Sequence, residues 1–398
     1  MIARKNLLNK YLISAAIALI AMTNVAQGAP KTVSVKPLKV FSQSSMAEAI
    51  VANSKAIFTY ENTMGLSADI KVRAFDFTGS EIWSKTVDSG LDEVATALTI
   101  DSQGTLWLVG NIATASQPES ATAVTETLNP DGIEVENLQP LRADMKNISV
   151  WQISTTGEVI GQSSIATVAL IDAISVSSSG LSILASRESE PFLITFSQGK
   201  FSKELKIGTA KTKLSAITRS SDGTTYLFGS SSETLGGKKL VGRVDGVLIK
   251  AAKTGSITSV VRSSAPKALR DWQSTTSSLF ATGSVKSGTS VESAITKFNS
   301  SFMPTWTTRI SSTGRTLAAS GANGSFYAIL EPTAAIKGVT GLKVAKGQSV
   351  ALQFDSKGLL ISAFTSAELT SAISSTYSST AGLFLLTADG KILQASNS

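Results

Sequence analysis

The feature that most constrains this chain is a degenerate unit that recurs from end to end. Its best preserved copy is Leu91 to Asn111, LDEVATALTIDSQGTLWLVGN. It reads as a connector, a short strand of small and β-branched residues, a turn at Gly104, and a second strand carrying Trp107. Phe58, Ile183, Tyr226, Phe280, Tyr327 and Phe384 occupy the place of Trp107 in other copies, so six of these seven positions are aromatic in a chain only 6% aromatic. Gly104 recurs as Gly180, Gly223 and Gly324 at the same distance before that marker. A tight hairpin needs φ > 0 there, which glycine adopts without strain. The strands before the turn, starting near Ala49, Ala97, Ala173, Ala216, Asp271, Leu317 and Ala372, are mostly small residues.

A second hairpin follows each of the first six copies, over 72–83, 150–160, 193–205, 248–260, 295–306 and 351–363. Gly79, Gly157, Gly199, Gly255 and Gly358 mark their turns. Each unit is therefore four antiparallel strands, a-b-c-d, and such units repeated radially are the blades of a β-propeller. The last unit, Thr370 to Ser396, has only three strands. A spare strand from Lys36 to Ser42 stands at the right spacing to supply the fourth. The fold expected is all-β, a seven-bladed β-propeller of four-stranded blades, its ring closed by an N-terminal strand completing the last blade. Closure of that kind leaves no blade open at the seam. A tandem of β-sandwiches would need separate cores and linkers, and a solenoid shorter, more uniform repeats.

Composition agrees and removes several chemistries. Ser, Thr, Ala and Gly dominate, 42% of the 398 residues are hydrophobic and 16% are charged. Cysteine and histidine are both absent. That excludes disulfides, thiolate nucleophiles, Cys/His zinc sites and any imidazole base or Ser-His-Asp triad. The formal charge of +7 includes Arg4, Lys5 and Lys10. These belong to a segment, 1–28, with the form of an export signal: a basic end, an apolar run from Tyr11 to Met22, and Ala26-Gln27-Gly28 before Ala29. The apolar run would reach about 18 Å as a helix, short of a ~30 Å hydrocarbon core. The expected organisation is a signal peptide, 1–28, and one propeller domain, 29–398, secreted or periplasmic. The remaining basic excess is mild and unclustered, so no nucleic-acid partner is expected; nor is a membrane span, and the protein is expected to be a monomer.

The stretch with Asp92, Ala95, Asp101, Gly104, Trp107 and Gly110 resembles the bacterial β-propeller repeat of secreted proteins, roughly D-x-A-x-x-[I/V]-x-x-D-x-x-G-x-x-Y-[V/L]-x-G. Other copies lose the aspartates. The resemblance implies a fold and an exported location, and it implies no catalytic residues.

Candidate sites follow from the loops. The connections between strands b and c are long at 112–146, 230–244 and 331–348, all on one face with the d-to-a connectors. Long loops on a rigid scaffold commonly carry function. The 112–146 insertion is the most distinctive, and Asn129-Pro130-Asp131-Gly132 within it is a turn signal. Asp131, Glu134 and Glu136 around that turn are the candidate calcium ligands, calcium being the one cofactor considered. The weakly basic, Gly-rich 230–244 loop does not open a helix, which argues against phosphate binding. The connectors place Asp92, Glu93, Arg270 and Asp271 near the channel mouth, with Trp272 beside them. These five are the candidate ligand-binding residues, Trp272 serving either to stack a sugar or peptide side chain or to pack the blade. The function expected is a non-catalytic binding or scaffold module for a glycan or protein at the cell surface, with the ligand on the b–c loop face and no catalytic residue assigned. The alternative is a carboxylate-dependent glycoside-processing enzyme, which needs two acids and no histidine.

Overall fold

A computed structural model describes residues 32–44, 46–65, 67–114 and 145–396. Among these residues the strands form six hydrogen-bonded sheets. Five are discrete blades. The first joins Ala49–Ala52, Ile57–Met64, Ala68–Phe75 and Glu81–Val87 in chain order, and the second joins Glu93–Ile100, Leu106–Ile112, Asn147–Ile153 and Val159–Ala166. The third spans 170–206, its outer strand split into Lys200–Phe201 and Leu205–Lys206. The fourth joins Thr212–Arg219, Thr225–Ser231, Asp245–Ala251 and Ile257–Ser263. The closing blade joins Ala372–Ser378, Gly382–Thr387 and Lys391–Ala395 to Lys39–Gln43.

The sixth sheet corrects the expectation of seven four-stranded blades: the blades are five, and 269–365 together with Val33–Pro37 forms instead one nine-stranded sheet. The reason lies in the 17-residue strand Pro304–Ser320. Ser311 pairs with Glu292 on one side, and the next residue, Ser312, pairs with Pro332 on the other. One ladder passes straight into the next, where the sequence reading placed a connector. This sheet takes up the part of the ring that the sequence divides into two further blades.

The N-terminal segment also differs from a single spare strand. Val33–Pro37 runs parallel to Leu360–Thr365 and to Val339–Thr340, whereas Lys39–Gln43 runs antiparallel to Lys391–Ala395. Pro37 lacks an N–H, and the ladder breaks beside it; Leu38 donates to the Thr365 carbonyl at 3.0 Å. The segment thus ties the nine-stranded sheet to the closing blade and pins the 331–348 loop.

The innermost strands touch in order around the ring, and Ala372–Ser378 returns to Ala49–Ala52. Apolar clusters lie between neighbouring sheets; one joins Phe58, Tyr60 and Val72 of the first blade to Leu106, Leu108 and Trp151 of the second. The aromatic markers join these clusters: Phe384 packs with Ile50 and Ile57 of the first blade and meets Phe41 of its own blade edge-on at 5.0 Å, and within the nine-stranded sheet Phe280 stacks on Phe326 at 4.7 Å. Trp83 donates its indole N–H to the Thr155 carbonyl at 2.9 Å, latching the first blade to a turn of the second, and Trp306 donates to the Ser356 carbonyl at 3.1 Å, latching two parts of the nine-stranded sheet.

Five inner strands carry a register shift near the same point, at Ala95/Ala97, Ile171/Ala173, Leu214/Ala216, Trp272/Ser274 and Ala372/Ser374. Such a bulge pushes backbone toward the partner strand. Opposite three of them stand Gly110, Gly229 and Gly283, where a Cβ would come within 1.9, 2.0 and 2.0 Å of a carbonyl oxygen of the bulged strand. These glycines are required by close approach of two backbones.

Candidate functional site

Arg270, Asp271 and Trp272 lie together on the inner strand Leu269–Thr275. They line a cleft of about 340 Å³ between the fourth blade and the nine-stranded sheet. Leu248 and Val261 contribute one apolar wall, and Val285, Phe298, Phe302 and Met303 the other. Three arginines edge the cleft, and they differ in their partners. Arg262 is buried and donates from Nε to Asp245 at 2.8 Å, and Arg309 pairs with Glu292 at 3.3 Å. Arg270 forms no ion pair among the described residues. Its Nη1 donates to Ser263 Oγ at 2.8 Å, and its Nε is buried without a partner. Burial, reinforced by the Arg309 charge and partly offset by Asp245, holds the Arg270 pKa below its ordinary value.

Asp271 is half-buried, with Oδ1 unpartnered. Burial pushes its carboxyl up, against the opposing pull of Ser230, Lys213 and Gln273. Trp272 is only 5% exposed and meets Phe298 edge-on at 5.3 Å. A side chain at Gly246 would come within 2.8 Å of its indole nitrogen, so the ring sits directly on that glycine. The indole N–H is a third buried polar group without a partner. Three adjacent residues that each leave a buried polar atom unsatisfied are unusual, since such atoms are nearly always paired in folded proteins.

Asp92 and Glu93 lie elsewhere and do not line this cleft. Asp92 is buried, accepts from the Ala68 amide at 3.0 Å, and its carbonyl accepts from Ala113 at 2.9 Å. Glu93 opens the inner strand of the second blade, opposite Ile112, and is fully buried. Its Oε1 accepts from both the amide and the hydroxyl of Ser89, and its Oε2 has no partner. Asp69 and Asp88 bring carboxylate oxygens to it, all within 4.8 Å of one another. Burial raises the Glu93 pKa, with the two neighbouring carboxylates adding to the effect and the Ser89 bonds opposing it. Asp69 and Asp88 were not among the sequence candidates. They are separated by a strand and its return, and nothing in the repeat pattern marks that pairing.

Asp131, Glu134 and Glu136, and most of the 112–146 insertion, lie outside the described residues, as does 1–28. No helix among the described residues is long and apolar enough to cross a membrane.

No family model matches this chain, and no curated protein matches it. Solved structures do. The hydrazine synthase of Kuenenia stuttgartiensis is 10% identical, over 93% of this chain and 99% of that one, with a TM-score of 0.53. The Swd1 β-propeller domain of Myceliophteria thermophila is 10% identical, over 91% and 100%, with a TM-score of 0.52. A streptogramin B lyase is 11% identical, over 90% and 97%, with a TM-score of 0.51. Identities this low carry the fold alone. Together with the ring of antiparallel sheets, they define the class: an all-β β-propeller.

Proposed function

We propose that this protein is an exported, non-catalytic propeller that binds a protein partner at the cell surface through the cleft beside Arg270. The observation that carries the reading is the Arg270 guanidinium: half-buried, without an ion pair among the described residues, and set between apolar walls. A desolvated cation of this kind is satisfied by an incoming carboxylate, and the exposed Met303 at the cleft's edge suits an apolar neighbour of that acid. An acidic side chain flanked by an aromatic or aliphatic one supplies both. A sugar fits less well, because a sugar-stacking site needs an accessible aromatic face and Trp272 is covered. Export rests on the sequence of 1–28.

The glycosidase alternative loses support at this cleft. It needs two carboxylates flanking the scissile bond, and Asp271 is the sole acid among the cleft's lining residues. The test is parallel selection of the immobilised protein on a peptide array and a glycan array. Enrichment of peptides pairing Asp or Glu with an apolar residue, lost in Arg270→Gln, supports the reading. Glycan binding alone, or peptide binding indifferent to Arg270→Gln, overturns it.

A further inference from the structure

We infer that Asp69, Asp88 and Glu93 form a binding site for a divalent cation of the calcium type, clamping the connector between the first two blades. The three residues come from different places: Asp69 from the start of the strand Ala68–Phe75, Asp88 from the connector after Glu81–Val87, and Glu93 from the start of Glu93–Ile100. One carboxylate oxygen from each lies within 4.8 Å of the other two. That spacing is repulsive for bare anions, and calcium coordinates carboxylate oxygens at 2.3–2.6 Å from a central point.

Proximity of acids alone does not make a site. The second observation is that the group left without a partner is the buried one. Glu93 is 0% exposed, yet its Oε2 has neither a donor nor solvent. Asp69 repeats the pattern: Oδ2 accepts from Ser67 Oγ at 2.8 Å, while Oδ1 is buried and unpartnered. Leaving charged acceptors buried and bare is strongly unfavourable, and a metal ion is one of the few ways a protein satisfies them. The remaining contacts orient the cluster. Ser89 holds Glu93 Oε1, and the Gly90 amide donates to Asp88 Oδ1 at 2.7 Å. No arginine or lysine pairs with any of the three among the described residues. Three carboxylates in a compact oxygen-only set favour a hard dication over a monovalent one or a nitrogen- or sulfur-seeking metal.

The consequence is mechanical. Glu93 pairs with Ile112, where the long insertion begins, and Asp92 holds Ala68 and Ala113. An ion here fixes the base of that insertion against the first blade.

The test is calorimetric titration of chelator-treated, signal-free protein with calcium chloride, alongside thermal unfolding with and without the ion. A saturable site with one ion per chain and a higher melting temperature are expected. Glu93→Gln, Asp69→Asn and the exposed Asp88→Asn should each weaken the affinity by about tenfold or more. Asp88→Asn keeps the test decisive even if the buried variants misfold. Neutralising Asp131, Glu134 and Glu136 together should leave the titration unchanged. Absence of calcium binding to the native protein overturns the inference. So does binding that survives Asp88→Asn and Glu93→Gln but disappears with the 131/134/136 variant.

Discussion

Replacing Gly283 by alanine tests the geometry that shapes both the ring and the cleft. Gly283 pairs with Trp272 at the bulge of the inner strand. An added Cβ would sit 2.0 Å from the Asp271 carbonyl oxygen and 2.8 Å from the Trp272 Cα. An ordinary carbon-to-oxygen contact is about 3.3 Å or more, so the inner strand must retreat by roughly 1 Å. Overpacking of a fixed core costs about 1–3 kcal/mol. The upper end applies because the obstacle is hydrogen-bonded backbone and not the tip of a flexible side chain. With an unfolding entropy of about 2.1 cal/mol/K per residue, 1 kcal/mol moves Tm by roughly 1–2 °C in a chain this long. Scanning calorimetry should therefore show Gly283→Ala lowered by about 3–6 °C. The control is Gly255→Ala, where φ is +80° and nothing lies within 4 Å of the new Cβ. It tests backbone strain alone, about 1 kcal/mol. If Gly283→Ala melts with the native protein, or above Gly255→Ala, close backbone approach is not what requires glycine at the bulge.

Three further outcomes follow from the same structure. Asp245 is buried, and burial would raise its pKa; the Arg262 hydrogen bond and the Val241 and Gly242 amides bring it net below the ordinary 3.8. A lowered carboxyl contributes stability that is present above its unfolded pKa and lost as pH falls through the folded one. Asp245→Asn should accordingly lower stability by about 3 kcal/mol at neutral pH, and the gap to the native protein should narrow below pH 3.8 in acid-side melting curves. Trp306→Phe removes the bond to the Ser356 carbonyl while keeping an aromatic against Phe280 and Phe354. It should cost about 1 kcal/mol by chemical denaturation, and a loss above about 3 kcal/mol would mean that the indole's packing carries the latch. Deleting 32–44 exposes two strand edges at once, Leu360–Thr365 and Lys391–Ala395. Light scattering should show concentration-dependent association, and a monomeric deletion product would show that the N-terminal segment does not protect those edges.

Much of this fold was legible because its signals are local. Gly104, Gly180, Gly223 and Gly324 recur before the aromatic marker, and all four adopt positive φ. The strands around them can be found from spacing alone. What escaped depends on partners distant in sequence. Gly110 reads as a motif residue, but its cause, the Val94 carbonyl 1.9 Å from a would-be Cβ, is visible only across the ladder. The fusion of strands at Ser311 and Ser312 depends on where each pairs, which composition does not encode. Site residues divide in the same way. Arg270 to Trp272 were visible as a charged, aromatic interruption in a run of small residues, though not the apolar cleft they line. Glu93 was visible as a connector acid, whereas Asp69 and Asp88 acquire meaning only when strand pairing brings them to it.

The most direct test of the binding reading is an isotherm for an acidic, apolar-flanked peptide selected on the native protein, repeated with Arg270→Gln. A carboxylate paired to a desolvated guanidinium is worth 2 kcal/mol or more, so the account predicts a loss of about 30-fold or greater in affinity with the fold intact. Equal affinity in the two proteins would contradict it and place the ligand elsewhere on the ring.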